Sequence, residues 1–221
     1  MVLVLLIAVS PSRAQPIPPL QSEKSSLDAN GCFVFEATVK LGAPPSEVFD
    51  TLSHPEKFSA YISAFRMVRV LESEGGYAKI LEWDGPPGRG EGPGGYYISA
   101  RDEYLFNRTQ LTVSVERIAK PPIITFTAKY ELTPNFNRIG IDNRFFLAGT
   151  LIHYSSVQCR EPDDPEIKDL PPQERQKKLE QEEARKLQTF LSGVNDYMRY
   201  AHRPQRPEDV HSRGTPTPTV R

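Results

Sequence analysis

Several things that common activities require are scarce in this chain. Histidine occurs four times and cysteine twice in 221 residues. No HxxxH, HExxH or Cys/His cluster is formed, so neither a metal centre nor a metal cofactor is expected. A GxSxG nucleophile elbow is missing too. Cys32 and Cys159 are too far apart for a CxxC redox motif. There is no basic excess: 27 Lys and Arg face 28 Asp and Glu, for a net charge of -1. Nucleic acid is therefore not an expected partner, since its binders carry a basic face. Internal repeats are absent. The only long apolar run, Met1–Val9, falls well short of the roughly 20 residues a membrane-spanning helix needs.

That run instead fits the hydrophobic region of a secretory signal, with Ser12-Arg13-Ala14 offering a small residue for cleavage. The basic stretch that normally precedes such a region is missing. No cysteine closely follows it, which argues against a lipid-modified N-terminus. We read 1–14 as a signal peptide and expect export, to a periplasm or outside the cell. In an oxidising compartment two cysteines either pair or sit separately as small core residues, and counting alone leaves both open.

The 21 prolines punctuate the chain in clusters. Residues 15–30 read as a polar linker and 203–221 as a disordered tail. Between them the patterns are regular. Phe33, Phe35, Ala37, Val39 and Leu41 alternate with more polar residues, the period of a strand with one buried face. Gly42–Pro45 breaks that strand, and Ser46 is placed to cap a short helix carrying Val48, Phe49 and Leu52. A second short helix is expected over Glu56–Ile62. Strands follow at Arg66–Glu72 and Tyr77–Asp84 around Gly75-Gly76, a hairpin signal. Further strands are expected at Tyr96–Phe106, Gln110–Ile118, Ile123–Leu132 and Phe145–Val157, with a loop over Thr133–Asn143. Gly85–Gly95 is rich in glycine and proline but lacks phosphate-loop order. It reads as a mobile rim or a plain hairpin loop. From Gln173 the chain turns helical. The half Gln173–Lys186 is densely charged, suited to solvent or to a docking partner. Leu187, Phe190, Leu191, Val194, Tyr197, Met198 and Ala201 then form an apolar stripe.

The opening strand, Ala43-Pro44-Pro45-Ser46-Glu47-Val48-Phe49, His54-Pro55-Glu56-Lys57-Phe58 and Phe65–Leu71 together resemble the START-like, polyketide-cyclase and coenzyme-Q-binding superfamily (SRPBCC). The departure is His54-Pro55, near a turn where that superfamily often has Asp. The resemblance implies an α+β helix-grip fold over residues 31–202. In it a curved seven-stranded antiparallel sheet, with two short helices after the first strand, wraps around a long C-terminal helix. It also implies that the first and last strands are neighbours, which brings Cys32 beside Cys159 for a disulfide.

Such a fold encloses a cavity. Its lining is expected from Phe126 and Tyr130, then Phe35, Trp83, Tyr97, Val113 and Leu191. No catalytic constellation is evident. His54 and His153 read as surface or structural residues, and Glu82, Asp84, Arg101 and Glu103 as outward cross-strand pairs. The expected role is binding or carriage of a hydrophobic small molecule (a lipid, quinone or polyketide-like compound), with transient membrane contact and no cofactor. The alternatives are a protein-interaction module built on helix 173–186 and a cyclase or aromatase. Asn107-Arg108-Thr109 matches an N-glycosylation acceptor, which is meaningful only in a eukaryotic secretory pathway.

Overall fold

The computed structural model describes residues 18–61, 67–84, 97–118, 123–139 and 144–201. Residues 1–14, read above as a signal peptide, the Gly85–Gly95 stretch and residues 203–221 lie outside them. Among the described residues one antiparallel sheet has eight strands in the order β1-β2-β8-β7-β6-β5-β4-β3. The strands are β1 (Leu20–Leu27), β2 (Phe33–Leu41), β3 (Met67–Glu74), β4 (Tyr77–Asp84), β5 (Tyr97–Asn107), β6 (Thr112–Ile118), β7 (Ile123–Ile139) and β8 (Arg144–Arg160). Helices α1 (Pro45–Leu52) and α2 (Phe58–Tyr61) follow β2, with a 3-10 turn at Pro55–Lys57 between them. Helix α3 (Pro172–Ala201) closes the body. The α+β helix-grip architecture is as expected, with eight strands rather than seven.

The extra strand is β1, which falls in the segment read as linker. It pairs with β2 from Leu20↔Val39 to Leu27↔Phe33. It is held from the helix side as well, because Gln176 Nε2 donates to the Ser25 carbonyl at 2.8 Å and Ser25 bonds Glu180. The expected loop at Thr133–Asn143 is also corrected. Strand β7 runs on to Ile139, paired with β8 down to Arg144. Pro134 is tolerated beside the irregularity between Asn135 and Phe136. There the ribbon bends at Gly149 (φ +125°), where a Cβ would lie 2.0 Å from the Leu41 carbonyl. Thr150 fastens the bend by donating to the Ala43 carbonyl at 2.6 Å.

Helix α1 starts without the side-chain cap expected from Ser46. Pro44 is the N-cap, and Pro45 fills a first-turn position where its missing N–H costs nothing. The second helix, expected over Glu56–Ile62, is a 3-10 turn at Pro55–Lys57 running into four α residues up to Tyr61, and Ile62 lies outside the described residues. The hairpin at Gly75-Gly76 forms, and Gly76 (φ +94°) lies so close to Phe106 that a Cβ would sit 2.9 Å from its carbonyl.

Period-two burial makes 33, 35, 37, 39 and 41 of β2 the inner face. Ladder partners carry that face across the sheet through Ile152, Tyr154, Ser156 and Gln158 of β8, then Phe126, Ala128, Tyr130 and Leu132 of β7. Helix α3 lays Leu179, Glu183, Leu187, Leu191, Val194 and Met198 against this face, all at most 4% exposed. A fully buried Leu or Val contributes about 1.5–3 kcal/mol through desolvation, so the stripe anchors the helix. The charged half of α3 is thus not the free stalk expected from its composition: Leu179 and Glu183 are buried within it.

Cys32 and Cys159 are joined by a disulfide with a Cα–Cα distance of 4.4 Å. Next to it Arg160, its side chain 7% exposed, donates to Asp164 (3.0 Å), Glu166 (3.2 Å) and Glu182 (3.0 Å). This cluster pins the loop between β8 and α3 onto the charged half of the helix. Burial pulls the Arg160 pKa down, but Asp164, Glu182 and Glu166 together outweigh it and raise the pKa.

Candidate functional site

The inner face is uneven, and its unevenness follows from residue size along three cross-strand rows. The middle row holds Ser156, Ala128, Val115 and Tyr104 on β8, β7, β6 and β5. Its short members Ser156 and Ala128 make a low floor. One bordering row runs Phe33–Gln158–Phe126–Arg117–Asp102. The other runs Ala37–Tyr154–Tyr130–Val113–Phe106. Phe126, Tyr130 and Arg117 point inward yet are only half-buried, so solvent reaches this part of the inner face. Phe190 of α3 stands over it, 5.8 Å from the Tyr130 ring and 5.5 Å from that of Phe58.

Polar groups converge on this apolar frame. Tyr154 Oη donates to Glu183 Oε1 at 2.5 Å, and Ser156 Oγ donates to the same oxygen at 3.1 Å. Glu183 is 4% exposed, so these donors are what make its burial tolerable. Burial pushes the Tyr154 pKa well above the usual tyrosine range, with Tyr130 and the Glu183 carboxylate adding to it. Tyr154 therefore remains a donor throughout the neutral range. Its ring lies 4.9 Å from that of Tyr130. Across the floor, Arg117 Nε and Nη2 grip Asp102 Oδ1 and Oδ2 at 2.8 and 3.0 Å, a bidentate pair in which Asp102 is buried. The same guanidinium sits 5.0 Å from the Phe126 ring centroid. Gln158 is 4% exposed, and its Nε2 has no hydrogen-bond partner.

Of the residues named from sequence as cavity lining, Phe126 and Tyr130 stand at this floor. Phe35, Val113 and Leu191 are sealed in the surrounding core. The backbones of Trp83 and Tyr97 pair with Ile98 and Asp84, but the described side chains do not include theirs. Glu183, Ser156, Gln158 and the Asp102–Arg117 pair were not foreseen. His153 faces outward, exposed, within 3.4 Å of Thr38 Oγ1 and 3.3 Å of Thr133 Oγ1. His54 is exposed beside Glu56. Glu103 makes the expected outward cross-strand pair, with Lys79 at 3.1 Å. The side chain of Asn107 is engaged with Gln110 in the β5–β6 turn.

A groove of about 460 Å³ crosses β4 to β8, lined by the outward Tyr77, Leu105, Thr127, Lys129 and Val157 and by Tyr104, Val115, Ala128 and Ser156 of the middle row. Among the described residues no cluster of metal-ligating side chains occurs, and no helix is long and apolar enough to cross a membrane.

No protein-family model matches this sequence, nor does any curated protein. Solved structures do match, and the fold they share is the helix-grip fold that the sequence resembles. The Zhui aromatase/cyclase from Streptomyces sp. R1128 superposes with a TM-score of 0.56 at 15% identity, covering 78% of this chain and 96% of that one. The di-domain ARO/CYC StfQ from the steffimycin biosynthetic pathway gives 0.60 at 11%, covering 77% of this chain. This chain spans about half of that longer protein, 52% of it. Ara h 8.0201 gives 0.52 at 16%, with 77% and 99% covered. At these identities the likeness is one of fold.

Proposed function

We propose that this protein binds and carries a hydrophobic small molecule on the inner face of the sheet, over Ser156 and Ala128 and beneath α3. The observation that carries the reading is the half-buried pair Phe126 and Tyr130 flanking that short-chain floor. Aromatic walls, a low floor and a few convergent polar groups are the usual make-up of a small-molecule site. The neighbours' names add support, since aromatase/cyclases act within the same fold. The interaction-module alternative loses ground because the charged half of α3 is committed to the body through Glu183, Glu182, Glu180 and Gln176.

Ala128→Phe tests the site by filling the floor. An environment-sensitive naphthalene sulfonate dye should gain fluorescence on the wild-type protein. On the folded variant it should bind at least about tenfold more weakly, a change of roughly 1.4 kcal/mol. Equal dye affinity for the two proteins would place binding elsewhere.

A second reading has its own observation. Two ionisable pairs, Tyr154–Glu183 and Asp102–Arg117, face the same interior. They are the kind of groups that could move protons on a reactive chain, which supports a cyclase-type activity. Turnover of a linear poly-β-ketone mimic, lost in Glu183→Gln, is its test.

Two further readings complete the proposal. The 1–14 segment serves export, to which the Cys32–Cys159 disulfide is suited. Transient membrane contact falls to the β7–β8 ribbon beyond its bend, where Phe136, Phe146 and Leu147 are 56%, 42% and 43% exposed.

A further inference from the structure

Gln158 presents a problem that the fold itself does not resolve. Its side chain is 4% exposed and its Nε2 finds no acceptor. Buried amide donors are nearly always paired, because stripping water from an N–H without replacement is costly. The neighbours on its row are apolar or committed: Phe33 on one side, Phe126 on the other, and beyond Phe126 an Arg117 already gripping Asp102. Along β8 the next inward residues are Ser156 and Tyr154, and both hydroxyls point to Glu183 Oε1. The polar strip 154–156–158 is therefore satisfied at one end and open at the other. The open end adjoins the half-buried Phe126 and the Ala128 floor.

Resting on the small-molecule reading above, we infer that Gln158 Nε2 is the anchor for a carbonyl oxygen on the bound molecule, whose apolar body lies over Ala128 between Phe126 and Tyr130. The ligand is thus a ring-bearing molecule with an acceptor oxygen rather than a plain hydrocarbon chain. A free N–H donor calls for an acceptor. A carbonyl supplies one with little of the desolvation cost a carboxylate would bring into an apolar pocket. Phe126 and Tyr130 are four residues apart on one strand, about 13 Å along it, which leaves room for fused rings between their side chains. Arg117 is not needed as the anchor because its guanidinium is bidentate on Asp102.

Three naphthalenes that differ in one group test the inference by calorimetric titration against the full chain: acetylnaphthalene, ethylnaphthalene and naphthylethanol. Gln158→Met, which matches the length and removes the donor, is titrated in parallel. Its urea midpoint is compared with the wild type to establish that it folds. The ketone should bind the wild type about tenfold more tightly than the ethyl compound, as expected for one added hydrogen bond. In Gln158→Met the two should fall within about twofold of each other, the ethyl compound keeping its affinity. A purely structural Gln158 would not alter the ratio between ketone and hydrocarbon. Equal binding of ketone and ethyl compound to the wild type would overturn this inference and leave the small-molecule reading standing. So would tightest binding of the alcohol, which would mean that the site offers an acceptor. Binding of none of the three would overturn both.

Discussion

Replacing Glu183 by Leu puts the interior polar cluster to a quantitative test. The carboxylate accepts from Tyr154 Oη and Ser156 Oγ, and both donors belong to residues at most 5% exposed. Without Glu183 each hydroxyl is left buried and unpaired, at about 1–3 kcal/mol apiece. The expected loss is therefore about 2–6 kcal/mol, less whatever the leucine gains by lengthening the stripe of Leu179, Leu187 and Leu191. Equilibrium urea unfolding followed by circular dichroism should show the midpoint falling by about 1–2 M. The informative comparison is the triple variant Tyr154→Phe, Ser156→Ala, Glu183→Leu. With every partner removed, most of the loss should return, because an apolar replacement of a whole polar cluster is far less costly than a broken one. A single Glu183→Leu variant as stable as the wild type would mean that the carboxylate is not what satisfies the two hydroxyls. So would a triple variant no more stable than the single one.

Reduction of the Cys32–Cys159 bond, which spans 127 residues, should cost about 5 kcal/mol in the chain-entropy account, seen as a fall in the urea midpoint with added reductant. Stability should also respond to alkali through Tyr154. The unfolded chain releases that proton near pH 10 while the folded one holds it to higher pH, so the contribution is intact below about pH 10 and declines as pH rises toward the folded value. Tyr154→Phe should flatten the alkaline arm of a melting-temperature profile, and an unchanged arm would mean another group governs it. Changing the exposed Phe136 and Phe146 to Ser should lower co-sedimentation with anionic vesicles without moving the urea midpoint, if the ribbon beyond Gly149 is the membrane-facing part.

The elements with strong periodicity were legible from residues alone. Strand β2 alternates Phe33 to Leu41 without a break, and the second half of α3 repeats its apolar residues at three and four. Strand β1 escaped because Leu20 and Leu27 are its only apolar residues. As an edge strand it owes its place to backbone pairing with β2 and to side chains of α3. The far half of β7 escaped because Pro134 and two asparagines look like a loop, yet the ribbon needs only its partner β8 to continue.

Among site residues, aromatic size pointed to Phe126 and Tyr130. Glu183 was hidden in a run of charge, where composition says solvent. Its signal was positional, four residues from both Leu179 and Leu187 on one helical face. Asp102 was passed over beside Arg101 and Glu103, although it shares strand parity with the buried Tyr104. Gln158 gave no sign in the sequence, since an unmet hydrogen bond exists only once the neighbours are in place.

The proposed occupant of the floor between Phe126 and Tyr130 is a hydrophobic molecule. Native mass spectrometry of the full chain, purified without detergent from a lipid-containing host, addresses it most directly when run beside Ala128→Phe. The wild type should carry a small-molecule adduct that organic solvent releases, and the variant should show a bare mass. The same adduct on both proteins would contradict it, because the molecule would then be bound somewhere other than the inner face.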